Sequence, residues 1–133
     1  MKLENNWKYK SLFNLEKTLL VGPSEEAPTR LAKRCYELIK LPLNKYTIED
    51  LRLMIEQEFG LLYLIPFVIE KLNDNLFAEG DMYEGDLLAN VLRVPPTFWK
   101  QNPDLWAQVN NLITDRREEI TSREISMEKF DSQ

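Results

Sequence analysis

Apolar side chains recur every three or four residues along almost the whole chain, and no β-branched alternation lasts long enough to suggest a sheet. The pattern predicts an all-α fold, a single-domain compact bundle of about six to seven helices filling residues 1–133. A first helix is expected from about Trp7 to Leu20, with Leu12, Leu15 and Leu19 on one side and Gly22-Pro23 beyond its end. A second starts near Pro28, carries Leu31, Cys35, Leu38 and Ile39 on one face, and stops before Pro42. The third has the clearest start: Thr47 supplies a capping hydroxyl ahead of Glu49 and Asp50, acids that favour the positive end of a helix, and Gly60 is placed to stop it. The fourth, Leu61 to about Asn75, is apolar enough at its start to be the central core helix; Pro66 either kinks it or marks a first turn. A short helix bearing Leu87, Leu88, Val91 and Leu92 then runs to Pro95-Pro96, followed by a brief turn at Phe98-Trp99. Asn102-Pro103-Asp104 opens the last long helix, with Leu105, Val109, Leu112 and Ile113 inward, and the charged tail, about residues 122–133, is expected to fray.

Composition narrows the chemistry. The chain contains no histidine, which removes Ser-His and Cys-His nucleophile pairs and the commonest zinc ligation. Its four glycines form neither a dinucleotide-binding turn nor a phosphate loop, so no cofactor is expected. The lone Cys35 has no internal disulfide partner and lies on a helical apolar stripe, where it reads as a small buried residue rather than a reactive thiol. The longest apolar run, Leu61 to Ile69, is about half of what a bilayer span needs, and the polar opening MKLENNWKYK lacks the marks of a secretory signal. A cytoplasmic protein without membrane contact is the expectation. Charge is uneven: residues 1–46 hold nine Lys/Arg against five Asp/Glu, and residues 47–133 hold eight against seventeen. An acidic surface repels phosphates and favours basic partners, which argues against nucleic acid and for a protein with a basic face.

The acids concentrate in LFAEGDMYEGDLLANVL, where Glu79, Asp81, Glu84 and Asp86 surround two glycines with no Lys, Arg or His among them. Their spacing fails the calcium-loop pattern and lacks its closing bidentate Glu, so metal binding is not predicted. Two acids on one short loop also fail to establish the separation that glycoside hydrolysis requires. Asp81 or Asp86 could cap the following helix, which leaves surplus acids beside Met82 and Tyr83, with Phe98 and Trp99 further along. Apolar anchors rimmed by one sign of charge suit an interface with a basic protein, although each aromatic taken alone reads equally well as core. Composition and spacing alone predict an acidic helical interaction domain.

Several stretches taken together carry more. KLPLNKYTIEDLRLMIEQEFGLLYLIPFVIEKL, then NLFAEGDMYEGDLLANVL and FWKQNPDLW, resemble the immunity proteins of bacterial contact-dependent growth inhibition systems over about Arg30 to Ile113. The specific parts are Pro42 to Arg52, Gly60 to Pro66 and Ala78 to Leu88. The sequence departs from the family pattern at Glu56, where a glycine is expected, and at Glu84, where a proline is expected; both add negative charge. The resemblance implies a non-enzymatic, cytosolic inhibitor that binds the toxic C-terminal domain of a delivered effector, often a nuclease, whose basic cleft a carboxylate-rich surface can occupy. On that basis Glu79, Asp81, Glu84 and Asp86 are the expected electrostatic contacts, Tyr83 and Trp99 the expected anchors, and Glu49, Asp50 and Glu56 a second candidate surface. The competing expectation is a small acidic helical adaptor that binds a resident protein and has no toxin partner.

Overall fold

The computed structural model describes residues 5–16 and 22–132. The described chain is all-α, with α-helices α1 (Leu12–Leu15), α2 (Arg30–Ile39), α3 (Ile48–Glu56), α4 (Leu61–Asp74), α5 (Asp86–Leu92), α6 (Pro96–Gln101), α7 (Pro103–Ile113), α8 (Arg117–Ser122) and α9 (Glu128–Asp131). β structure among the described residues is limited to an antiparallel bridge between Ser11 and Pro42. No helix among them is long and apolar enough to cross a membrane.

α3 and α4 organise the core. Thr47 and Asp50 form a reciprocal capping box at the start of α3: the Asp50 amide donates to Thr47 Oγ1, and the Thr47 amide donates to Asp50 Oδ2. Leu51, Leu53, Met54 and Ile55 are buried on α3, and Leu64, Ile65, Phe67, Val68 and Leu72 on α4. α4 packs on α3 and α7, while the other face of α3 meets α5. Pro66 lies inside α4 rather than at its first turn, so the Leu62 carbonyl has no helical donor. Leu62 and Pro66 both border an open cleft of about 270 Å³ shared with Asn102, Pro103 and Leu105, and water there can take the missing donor's place.

Five local expectations are corrected. The helix predicted from Trp7 is broken: a 3-10 turn at Trp7–Tyr9 precedes Ser11, whose hydroxyl accepts from the Asn14 amide and starts α1 afresh. The rest of that predicted helix, Leu19 included, falls outside the described residues. α2 is capped by Thr29 rather than opened by Pro28, and Leu31 is 44% exposed, leaving Cys35, Leu38 and Ile39 as its buried face. α3 ends at Glu56, where Glu58 takes a left-handed turn, and Gly60 precedes α4 instead of stopping α3. Phe98-Trp99 is helical, the middle of α6. Asn102 holds the N-cap position of α7 as expected, but its side chain makes no capping bond; its amide donates to the Phe98 carbonyl at 2.9 Å instead.

The tail expected to fray at about residues 122–133 is folded over residues 122–132. Phe130 is fully buried, stacked on Trp106 at 5.3 Å and edge-on to Trp99 at 5.4 Å, while its carbonyl accepts from Trp106 Nε1 at 3.1 Å. Burying one such ring stabilises by about 1.5–3 kcal/mol, and each favourable aromatic pair adds roughly 0.5–1.5 kcal/mol. Arg117 closes the turn with a two-pronged ion pair to Asp131.

Candidate functional site

The chain leaves α4 at Asn75 and returns as α5 at Asp86, and the acidic stretch forms the loop between them. Phe77 and Ala78 are buried at the loop's base, where the Gly85 amide donates to the Phe77 carbonyl and closes the neck. Gly85 has φ +88°, and a Cβ there would lie 2.9 Å from Ile125 Cδ1 and 3.3 Å from Phe77 Cδ1. The position therefore needs glycine both for its backbone angle and for its packing.

Asp86 is not a surface contact. Its carboxylate is buried and accepts from the amides of Gly80 (2.7 Å), Met82 (3.0 Å) and Tyr83 (3.3 Å), drawing three backbone donors of the loop onto one anion. Nor does it cap its own helix, since Gly85 occupies that position. Glu49 on α3 holds the same loop from the other side, accepting from the Asp81 amide at 2.8 Å. Gly80 passes so close to α3 that an added Cβ would stand 2.7 Å from Glu49 Oε1 and 3.3 Å from Glu49 Cα.

These carboxylates meet one cation that the sequence reading did not single out. Arg52, buried on α3, donates from Nε and Nη2 to the two oxygens of Glu49, both at 2.6 Å, and from Nη1 to Glu56 at 3.0 Å; Asp86 Oδ2 lies 3.9 Å from Nε. The fork of hydrogen bonds with Glu49 is the main cause raising the Arg52 pKa, and the same contact, helped by the Asp81 amide, lowers that of Glu49. The Arg52 carbonyl accepts from Asn90 Nδ2 on α5, which ties the cluster to the next helix. Glu49 and Arg52 lie three residues apart on one helix face, a visible signal; that Asp86 would join them was not.

Of the second candidate surface, Asp50 is buried in its capping box and accepts from Arg34 Nη2 at 2.8 Å, Glu49 is committed to the loop, and Glu56 is exposed beside Arg52. Trp99 is likewise no anchor: it is 1% exposed, packed edge-on between Phe98 and Phe130, and its buried Nε1 has no partner.

The residues left on the surface are Glu79, Asp81, Met82, Tyr83 and Glu84. Met82 is 66% and Tyr83 43% exposed, an unusual display for large side chains on a loop whose backbone is so fully tied down. Tyr83 Oη accepts from Arg93 Nη2 at 3.4 Å, and Glu84 pairs with Arg123 at 2.9 Å. Among the described residues no group of three or more Cys, Asp or Glu side chains is placed to hold a metal ion. Chemically the arrangement can display an apolar pair inside a ring of negative charge on a preformed backbone, the form of a recognition surface.

Comparison with curated proteins finds no match to this sequence. Comparison with protein families matches residues 17–109, well over half of the chain and spanning α2 to α6, the clamping cluster and the loop, to the CDI immunity proteins. The chain belongs to that family, the immunity proteins of contact-dependent growth inhibition.

Proposed function

We propose that this protein neutralises the C-terminal toxin domain of a growth-inhibition effector by stoichiometric, non-catalytic binding in the cytoplasm, with Glu79, Asp81, Met82 and Tyr83 of the α4–α5 loop as its principal contact. The observation that carries this reading is the loop itself. Met82 and Tyr83 stand exposed among carboxylates while the backbone beneath them is fixed by Glu49 and Asp86. A side chain that projects from a preformed loop loses little conformational entropy when it docks, so it can serve as an anchor. The surrounding charge favours a basic partner and speeds encounter with it. A nuclease toxin suits such a surface, because an active site that handles phosphates presents cations that carboxylates can cover in place of the substrate.

The test is co-expression with the toxin domain encoded beside this chain's gene. Growth should be restored and a one-to-one complex recovered, and Tyr83→Ala should weaken the complex at least tenfold. Continued arrest with folded protein and no complex at micromolar concentration would sink the reading.

A further inference from the structure

The loop is held by α3 on one side and by the C-terminal segment on the other, and the second hold changes which charges a partner meets. Arg123 donates from Nε to Glu84 Oε1 at 2.9 Å, and its guanidinium carbon lies 3.8 Å from the centre of the Phe77 ring. Ile125, two residues on, is the side chain packed against Gly85. The segment carrying them is itself anchored by Ile120, Ile125 and Phe130 in the core and lies beyond the family match, which ends at residue 109. Arg123 and Glu84 both remain solvent-accessible, so the pair adds little to stability. Its electrostatic consequence is larger. A cation at contact distance cancels most of the field of Glu84 beyond a few ångströms, and stacking on Phe77 keeps that cation in place independently of the carboxylate. Glu79 and Asp81, by contrast, are exposed and make no ion pair among the described residues.

We infer that Arg123 is a specificity-determining residue. By engaging Glu84 internally, it leaves Glu79 and Asp81 to read the partner's cations, and the C-terminal segment thereby edits the charge pattern of the toxin-facing loop. The inference rests on the proposed role of that loop.

The experiment measures association rates with the adjacent toxin domain at two ionic strengths, for the wild type, Asp81→Asn, Tyr83→Ala, Glu84→Gln, Arg123→Met and the double variant Glu84→Gln/Arg123→Met. Methionine retains an unbranched apolar chain over Phe77, and thermal melts check that each variant folds. With Arg123 present, Glu84→Gln should change the rate by less than about twofold, while Asp81→Asn slows it more. With Arg123→Met the rate should rise, most at low salt, and adding Glu84→Gln should then lower it about threefold or more. A loss of threefold or more from Glu84→Gln in the wild-type background would overturn the inference, as would Arg123 and Glu84 effects that simply multiply. The first of these outcomes needs no Arg123 variant to fold. If instead Asp81→Asn and Tyr83→Ala also leave binding to the toxin untouched, the loop is not the contact surface and the functional reading itself fails.

Discussion

At the scale of single residues, side chains of the same type take opposite roles according to what their neighbours' backbones need. Asp86 and Asp81 lie five positions apart in one acidic stretch, yet one is buried under three amide donors and the other is exposed. Asp86→Ala leaves those donors without their acceptor. It should cost about 2–4 kcal/mol of unfolding free energy, read by denaturant titration, with Asp86→Asn falling between it and the wild type. Trp99 and Tyr83 divide in the same way. Trp99→Ala should cost about 3–5 kcal/mol of stability and leave toxin affinity of the folded fraction unchanged. Tyr83→Ala should shift stability by no more than about 0.5 kcal/mol and reduce affinity at least tenfold. Spacing could not separate these pairs, because period and residue type report what a side chain is and not which backbone amides turn toward it.

Among the elements, α3 does two jobs within about two turns of helix: Leu51, Met54 and Ile55 enter the core while Glu49 and Arg52 hold the loop. The capping box that starts α3 was legible, since Thr47 and Asp50 are local and three residues apart. The cross-chain clamp was not, because it joins residues more than thirty positions apart. Glu49 links the clamp to pH. Its folded-state pKa is lowered, chiefly by Arg52, so its contribution is complete above the ordinary carboxylate range and is lost as pH falls through the depressed value. Amide exchange at Asp81 should therefore be protected at neutral pH and lose protection only on acidification below the ordinary carboxylate range, after correction for intrinsic exchange rates. Glu49→Gln should show weaker protection that no longer responds over that range. The tail was misread for an equally physical reason. Ile120, Ile125 and Phe130 fall five apart, off the helical period, because a left-handed turn at Glu124 separates α8 from α9, so a pattern search sees mainly the charges.

For the molecule as a whole, all-α architecture could be read from periodicity because the elements are helices with local signals; how they meet could not. The acidic bias of residues 47–133 was visible in the sequence, but the fold sorts the acids in and around the loop into a clamp around Arg52, a masked Glu84 and an exposed remainder, Glu79 and Asp81. Reversing only the exposed remainder, Glu79→Lys with Asp81→Lys, should slow association with the toxin domain about tenfold or more at low salt and flatten its dependence on ionic strength. The melting temperature should stay within a few degrees of the wild type, since neither side chain supports the core. The claim that the clamped loop is the toxin contact is tested most directly by hydroxyl-radical footprinting of the free chain and the complex. Among the described residues five large apolar side chains are exposed, namely Tyr9, Phe13, Leu31, Met82 and Tyr83, and each reports on its own surface. Oxidation of Met82 and Tyr83 should fall sharply in the complex while Leu31 reacts as before; unchanged oxidation of Met82 and Tyr83, with protection at Tyr9 and Phe13 or at Leu31 instead, would contradict it.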